Sequence, residues 1–120
     1  EYARLAGRPA APDRMASARA LAATTGAVVL LKGPTTVVAH PSGDVRLVTA
    51  GDARLATAGT GDVLTGMVGA FLALGLPALD AAALAAHAHG RAAVAAGRRW
   101  GLVAGDLPEL VATWLSEVAP

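Results

Sequence analysis

An α/β fold is what this 120-residue sequence predicts, and three observations predict it. A capped helical segment ends at Gly26 and runs directly into the short apolar stretch Ala27-Val28-Val29-Leu30-Leu31, and helix followed by buried strand is a building unit of α/β sheets. Two further strand-like segments flank the turn signal Pro41-Ser42-Gly43-Asp44. A glycine-rich loop, Leu55-Ala56-Thr57-Ala58-Gly59-Thr60-Gly61-Asp62-Val63-Leu64-Thr65-Gly66, then opens into an amphipathic helix.

Taken in order, Pro12 and Asp13 open the first helix. Asp13 suits the N-cap, Gly26 suits the stop near Thr25, and Met15, Ala18, Leu21 and Ala22 form the apolar stripe. The run 27–31 is continuous and rich in branched side chains, as expected of a strand buried on both faces. Lys32-Gly33-Pro34 breaks it. Thr35–Ala39 and Val45–Val48 are then expected to pair as a hairpin at one edge of the sheet. A helix from about Asp62 to Leu74 should bury Leu64, Met67, Val68, Phe71 and Leu72, with Gly66 and Gly69 admitting another element closely. Gly75 and Pro77 end it. Asp80 is expected to cap an alanine-rich helix reaching about Ala96, and Asp106 to cap a last one from Leu107 to Val118.

Composition narrows the function classes. Hydrophobic residues make up 54% and charged residues 16%, enough for a core, though alanine contributes little buried area per residue. Net charge is +1 and no basic run interleaves with aromatics, so nucleic-acid binding has no support; Arg98-Arg99 reads as a solvated helix end. Cysteine is absent, which excludes disulfides and thiolate metal sites. No apolar run approaches the roughly 20 residues that span a bilayer, and the amino-terminal residues lack a signal peptide's pattern. A cytoplasmic protein without membrane contact is therefore expected. The first helix and strand look like the middle of a doubly wound sheet, and the opening Glu1-Tyr2-Ala3-Arg4-Leu5 has no initiator methionine. Residues 1–120 are expected to be the carboxyl-terminal part of a single larger domain whose amino-terminal half lies outside the sequence.

Two motifs carry chemistry. In the first, glycines at 59 and 61 allow backbone conformations and close approaches that a Cβ forbids. The free N–H groups and dipole of the helix that follows form an anion site at Gly59, Thr60 and Gly61. Asp62 beside that site can take a proton from a hydroxyl. That arrangement suits phosphoryl transfer, where positioning and charge stabilisation dominate. In the second motif, Lys32-Gly33-Pro34-Thr35-Thr36, the lysine can neutralise phosphate while the hydroxyls and backbone line a nucleotide pocket at a strand end. His87 and His89 lie on different sides of a helix and cannot easily share a metal. Neither a Walker A loop nor a dinucleotide fingerprint is present.

Together these motifs resemble the ribokinase-like superfamily, a three-layer α/β/α fold, and more narrowly the nucleotide-dependent NAD(P)H-hydrate dehydratases, the YjeF carboxyl-terminal domain. The resemblance rests on LKGPTTVVAHPSG, LATAGTGDVLTG and Gly101-Leu102-Val103-Ala104-Gly105-Asp106-Leu107, in that order, and covers nearly the whole chain. Glu1 would be the last residue of the family's TPHPGE segment. The resemblance implies repair of hydrated NADH or NADPH: ADP, or ATP in eukaryotic members, phosphorylates the ring hydroxyl, and phosphate then leaves. It further implies that Asp62 is the base that meets the hydrate, that Gly59, Thr60 and Gly61 form the anion hole, and that Lys32, Gly33, Pro34, Thr35, Thr36 and Gly61 contact the nucleotide. Mg²⁺ is expected with the nucleotide, without an assigned protein ligand.

The family often carries asparagines before LATAG, where this chain reads Val48-Thr49-Ala50-Gly51-Asp52-Ala53-Arg54; Asp52 is the candidate substitute. Two other readings stand beside the dehydratase. One is a ribokinase-like kinase for a small alcohol such as a thiazole or pyrimidine precursor. The other is a non-catalytic fragment or binding module, and the isolated chain is expected to turn over little or nothing. The choice of ADP or ATP, a homo-oligomeric state, and a fused or separate NAD(P)H-hydrate epimerase are left open by the residues.

Overall fold

The computed structural model describes residues 1–118, and the chain falls into two units, Glu1–Val48 and Thr49–Pro120. The first unit opens on a short helix that the sequence reading did not include, α1 (Tyr2–Ala6), which ends at Gly7. The Tyr2 hydroxyl donates to Ser17 O at 3.2 Å. Helix α2 (Arg14–Thr25) has the predicted bounds for the predicted reasons. The Asp13 carboxylate accepts from Ala16 N–H at 2.9 Å, and Gly26, at φ 67°, returns its N–H to Ala22 O.

Its buried face is Ser17, Ala18, Leu21 and Ala22, so Met15, at 43% exposure, drops out of the expected stripe. Ser17 replaces it because its polar group is satisfied in place. The hydroxyl donates to Asp13 O and accepts from Ala11 N–H.

Strands β1 (Val29–Leu31), β2 (Thr36–Ala39) and β3 (Val45–Val48) form one antiparallel sheet in that order, with Leu30 opposite Val38 and Val38 opposite Arg46. The hairpin at 40–44 is as predicted; the first strand is not. It starts at Val29, it is only half-buried, and it pairs antiparallel to β2. The connections at 32–35 and 40–44 are too short for a parallel crossover, which needs about a dozen residues. As an edge strand with α2 on its sheet, β1 is also less enclosed than a central parallel strand. Ala18 and Ala22 of α2 meet Val37 and Ala39 of β2 to form this unit's core, with Val29, Leu31 and Val45 around them.

The second unit begins with a 3-10 turn, Ala53–Leu55, and is otherwise helical: α3 (Thr60–Ala73), α4 (Ala78–Ala95) and α5 (Leu107–Val118). Helix α4 is its axis, packing on both α3 and α5. Seven of the ten buried residues of α4 are alanine, so the neighbouring helices can come close. Ala93, Leu102 and Leu107 form a core cluster, with Leu55, Val63 and Leu110 packed against it.

Several expectations are corrected in this unit. On α3 only Thr60 and Leu64 are buried; Met67, Val68 and Phe71 are half-buried and Leu72 is 44% exposed. Gly66 and Gly69 face open space among the described residues, with no element against them. The apolar face of α3 is wider than the strip covered within its unit. Helix α4 starts at Ala78 with Pro77 in the cap position, because proline's fixed φ and missing N–H suit a helix entry; Asp80 therefore sits in the first turn. Asp106 does not cap α5 forwards. Its carboxylate turns back to accept from Val103 N–H at 3.1 Å and from Arg98 at 3.0 Å, closing the 3-10 turn Ala104–Asp106. Arg98 is thus tied into an ion pair that the solvated-end reading omitted. Among the described residues no helix is long and apolar enough to cross a membrane.

Candidate active site

The predicted phosphate loop is built from the start of α3. Gly59 holds φ 86°, a left-handed conformation that an L side chain adopts only with strain, and this lets the chain turn from the loop into the helix. Thr60 follows, 2% exposed. Its hydroxyl reaches both Leu55 O at 2.7 Å and Thr57 O at 2.9 Å, which ties the LATAG segment to the helix start. Thr60 therefore belongs to the loop's frame, and its side chain is not offered to a ligand.

The backbone around it divides in two. Thr60 N–H turns back to Thr57 O, while the Asp62 and Val63 N–H groups share Gly59 O. The N–H groups of Gly59 and Gly61 donate to nothing among the described residues. Asp62 is exposed in the first turn of α3, and its carboxylate makes no hydrogen bond or ion pair among the described residues. Free N–H donors next to a free carboxylate can hold a phosphate and draw a proton from a neighbouring hydroxyl.

The frame is reinforced from behind. His89 of α4, 2% exposed, places Nε2 3.0 Å from Thr60 O; since a carbonyl only accepts, Nε2 carries the proton. At the next position Gly90 lies against the peptide of Ala50 and Gly51. His87, two residues away on the same helix, is exposed and meets the Trp114 ring edge-on at 5.9 Å. The pair thus faces two directions, and no cluster of three or more His, Asp or Glu side chains gathers among the described residues.

Asp52 is fully engaged elsewhere. Its two carboxylate oxygens take Arg54 Nη2 at 2.6 Å and Nε at 2.9 Å, and Oδ1 also accepts Arg54 N–H at 3.0 Å. The Arg54 side chain, and then its backbone N–H, hold the Asp52 carboxyl down at about 2, well below the ordinary 3.8. Arg54 also donates to Arg98 O. Asp52, committed in this way, stabilises the approach to the loop and is poorly free to stand in for a ligand-binding asparagine.

In the first unit the motif at 32–36 leaves β1 and enters β2. Lys32, Gly33 and Pro34 are exposed, Thr35 and Thr36 are half-buried, and the Lys32 side chain has no partner among the described residues. A residue that the sequence reading passed over organises this loop. Arg14 donates to Leu31 O at 3.1 Å, to Lys32 O at 2.5 Å and to Thr35 O at 3.0 Å. The available signal was a cation at the first position of a helix, where the dipole disfavours it and another partner is implied.

Comparison with known proteins gives the loops a family. A family model described as NAD(P)H-hydrate dehydratase matches residues 1–115. The chain belongs to that family. It is 51% identical over 118 residues to the bifunctional NAD(P)H-hydrate repair enzyme Nnr of Mycobacterium leprae, covering 98% of this chain and 24% of that protein. It is 44% identical over 122 residues to the ADP-dependent (S)-NAD(P)H-hydrate dehydratase of Neisseria meningitidis, covering 96% and 41%. The Bacillus subtilis YxkO structure superposes with a TM-score of 0.89 at 31% identity, covering 97% of this chain and 46% of that one. The Bacillus subtilis ADP/ATP-dependent NAD(P)H-hydrate dehydratase, co-crystallised with ATP and Mg²⁺, superposes at 0.81 with 32% identity, covering 88% and 39%. The dehydratase's ribokinase-like fold class is thereby the fold class of this chain, which spans less than half the length of each of these relatives.

Proposed function

We propose that this chain is part of an enzyme that returns hydrated NADH or NADPH to the reduced coenzyme at the expense of a nucleotide phosphoryl group. The observation that carries the reading is the start of α3: N–H groups at Gly59 and Gly61 without an acceptor among the described residues, beside an exposed Asp62 whose carboxylate has no partner among them, within a chain of the dehydratase family. In this reading the anion hole of Gly59, Thr60 and Gly61 receives the transferring phosphoryl group through the free N–H groups of Gly59 and Gly61, and Thr60 between them contributes the rigidity of the loop. Asp62 removes the proton from the ring hydroxyl as its oxygen attacks phosphorus. Lys32, Gly33, Pro34, Thr35 and Thr36 contact the nucleotide, and Lys32 offsets its negative charge.

The two half-reactions balance. The terminal phosphoryl group moves from ADP or ATP to the hydroxyl oxygen, and Asp62 holds the displaced proton. The ring nitrogen's lone pair then expels phosphate with the C–O electrons, and the adjacent carbon loses a proton to restore the dihydronicotinamide. Hydroxide would leave poorly; phosphate leaves well, which is the reason for the first step.

The residues fit a magnesium ion carried by the nucleotide. Mg²⁺ is ordinarily held by one or two carboxylates with substrate phosphates and water, and Asp62 offers one carboxylate without a surrounding cage. When bound, the ion would neutralise charge on the phosphates. The bifunctional naming of the Mycobacterium leprae relative supports an NAD(P)H-hydrate epimerase as a fused or separate partner, and a cytoplasmic location goes with a soluble coenzyme as substrate.

The test uses the full-length protein that contains this chain, with NADH hydrate, Mg²⁺ and ADP or ATP, following the return of reduced-nicotinamide absorbance. Asp62→Asn should lower the nucleotide-dependent rate by about 10²–10⁴-fold, the usual contribution of a positioned base. A stable phosphorylated alcohol in place of restored absorbance would replace the reading with a small-molecule kinase.

A further inference from the structure

Arg14 holds the loop at 32–35 from outside it, and nothing in the functional reading above uses this residue. Its guanidinium is half-buried, it meets no carboxylate among the described residues, and its hydrogen bonds go to three carbonyls of one turn: Leu31 O, Lys32 O and Thr35 O. The fit depends on Gly33. A Cβ at that position would fall 2.5 Å from Arg14 Cζ and Nη2, and closer still to Nη1, so the guanidinium occupies the space that the glycine leaves empty.

A peptide's C=O and N–H point in opposite directions across its plane. Turning the Leu31 and Lys32 carbonyls onto the guanidinium therefore aims the Lys32 and Gly33 N–H groups away from it. Those donors, with the Lys32 ammonium, are what the loop can offer to an anion.

We propose that Arg14 is a positioning residue for nucleotide binding, orienting the Lys32 and Gly33 N–H groups toward the phosphates by gathering the carbonyls of Leu31, Lys32 and Thr35 on its guanidinium. The inference rests on the nucleotide role of this loop proposed above. It assigns Arg14 no contact with the reacting atoms.

The experiment measures ADP and ATP affinity of the full-length protein by calorimetry, together with KM for the hydrate and kcat. Arg14→Ala should weaken nucleotide binding about tenfold, the equivalent of roughly one charge-assisted hydrogen bond, while KM for the hydrate stays within about twofold. Gly33→Ala should do the same while folding normally, because the group it displaces is the end of a flexible side chain. The double variant should be no worse than Arg14→Ala alone, since the clash disappears with the guanidinium. Arg14→Lys keeps the charge but loses the planar fork, and should fall between wild type and Arg14→Ala. If Arg14→Ala does not fold, Gly33→Ala and Arg14→Lys carry the test.

Wild-type nucleotide affinity in folded Arg14→Ala, or equal loss for nucleotide and hydrate, overturns the inference and leaves the functional reading standing. A wild-type protein that binds neither ADP nor ATP overturns both.

Discussion

His89 Nε2 donates to the carbonyl of Thr60 across 3.0 Å, and both residues are 2% exposed. The contact joins the middle of α4 to the first residue of α3, and so holds the loop that presents Gly61 and Asp62. Its loss would remove a buried hydrogen bond, which costs about 0.5–1.5 kcal/mol. His89→Ala should therefore lower stability by that amount and blunt nucleotide-dependent turnover in the full-length protein. His89→Gln, which can donate at a similar reach, should recover part of both. Chemical denaturation with activity on the same samples checks this, and an Ala variant as stable as wild type would refute it.

Gly90 is predicted to be intolerant of any side chain. A Cβ there would lie inside the contact distance of Ala50 C and O and 2.7 Å from Gly51 N, and backbone cannot step aside as a side chain can. Gly90→Ala should destabilise by about 3 kcal/mol, at the upper end for overpacking. A melting temperature within a degree of wild type would show that the helix and the segment before the loop are not locked together.

Gly66 and Gly69 make the opposite prediction. Both are inside α3 with no neighbour within 4 Å of a built Cβ among the described residues. Each change to alanine should raise stability by about 0.5–1 kcal/mol through helix propensity. Destabilisation in the full-length protein would reveal that a segment outside this chain rests on that face.

Acid should unpick Asp52 from Arg54. The Asp52 carboxyl titrates at about 2 in the folded chain against 3.8 ordinarily, so its contribution is fully present above pH 3.8 and disappears as the pH falls through about 2. The pair is partly exposed, Asp52 at 43% and Arg54 at 22%, so the effect is that of a surface pair, below about 1 kcal/mol. Melting curves of wild type and Asp52→Asn should differ by a constant above pH 4 and converge near pH 2. A difference that ignores pH would contradict the assignment.

The local chemistry of this protein was legible without coordinates. Asp13 and Gly26 bound α2, Pro41 to Asp44 turns the hairpin, and Gly59 and Asp62 stand at the start of a helix, because caps, turns and left-handed glycines depend on a few adjacent residues. What α3 buries, the half-exposure and antiparallel pairing of β1, and the backward turn of Asp106 were decided by neighbours distant in sequence. The same holds for the site's supports. Lys32 and Asp62 could be named from their motifs, but Arg14 reaches Thr35 from 21 residues away and His89 reaches Thr60 from 29. A motif's residue types follow from the chemistry it performs. The groups that hold it in shape follow from which helix the fold lays against it, and only the tertiary structure sets that.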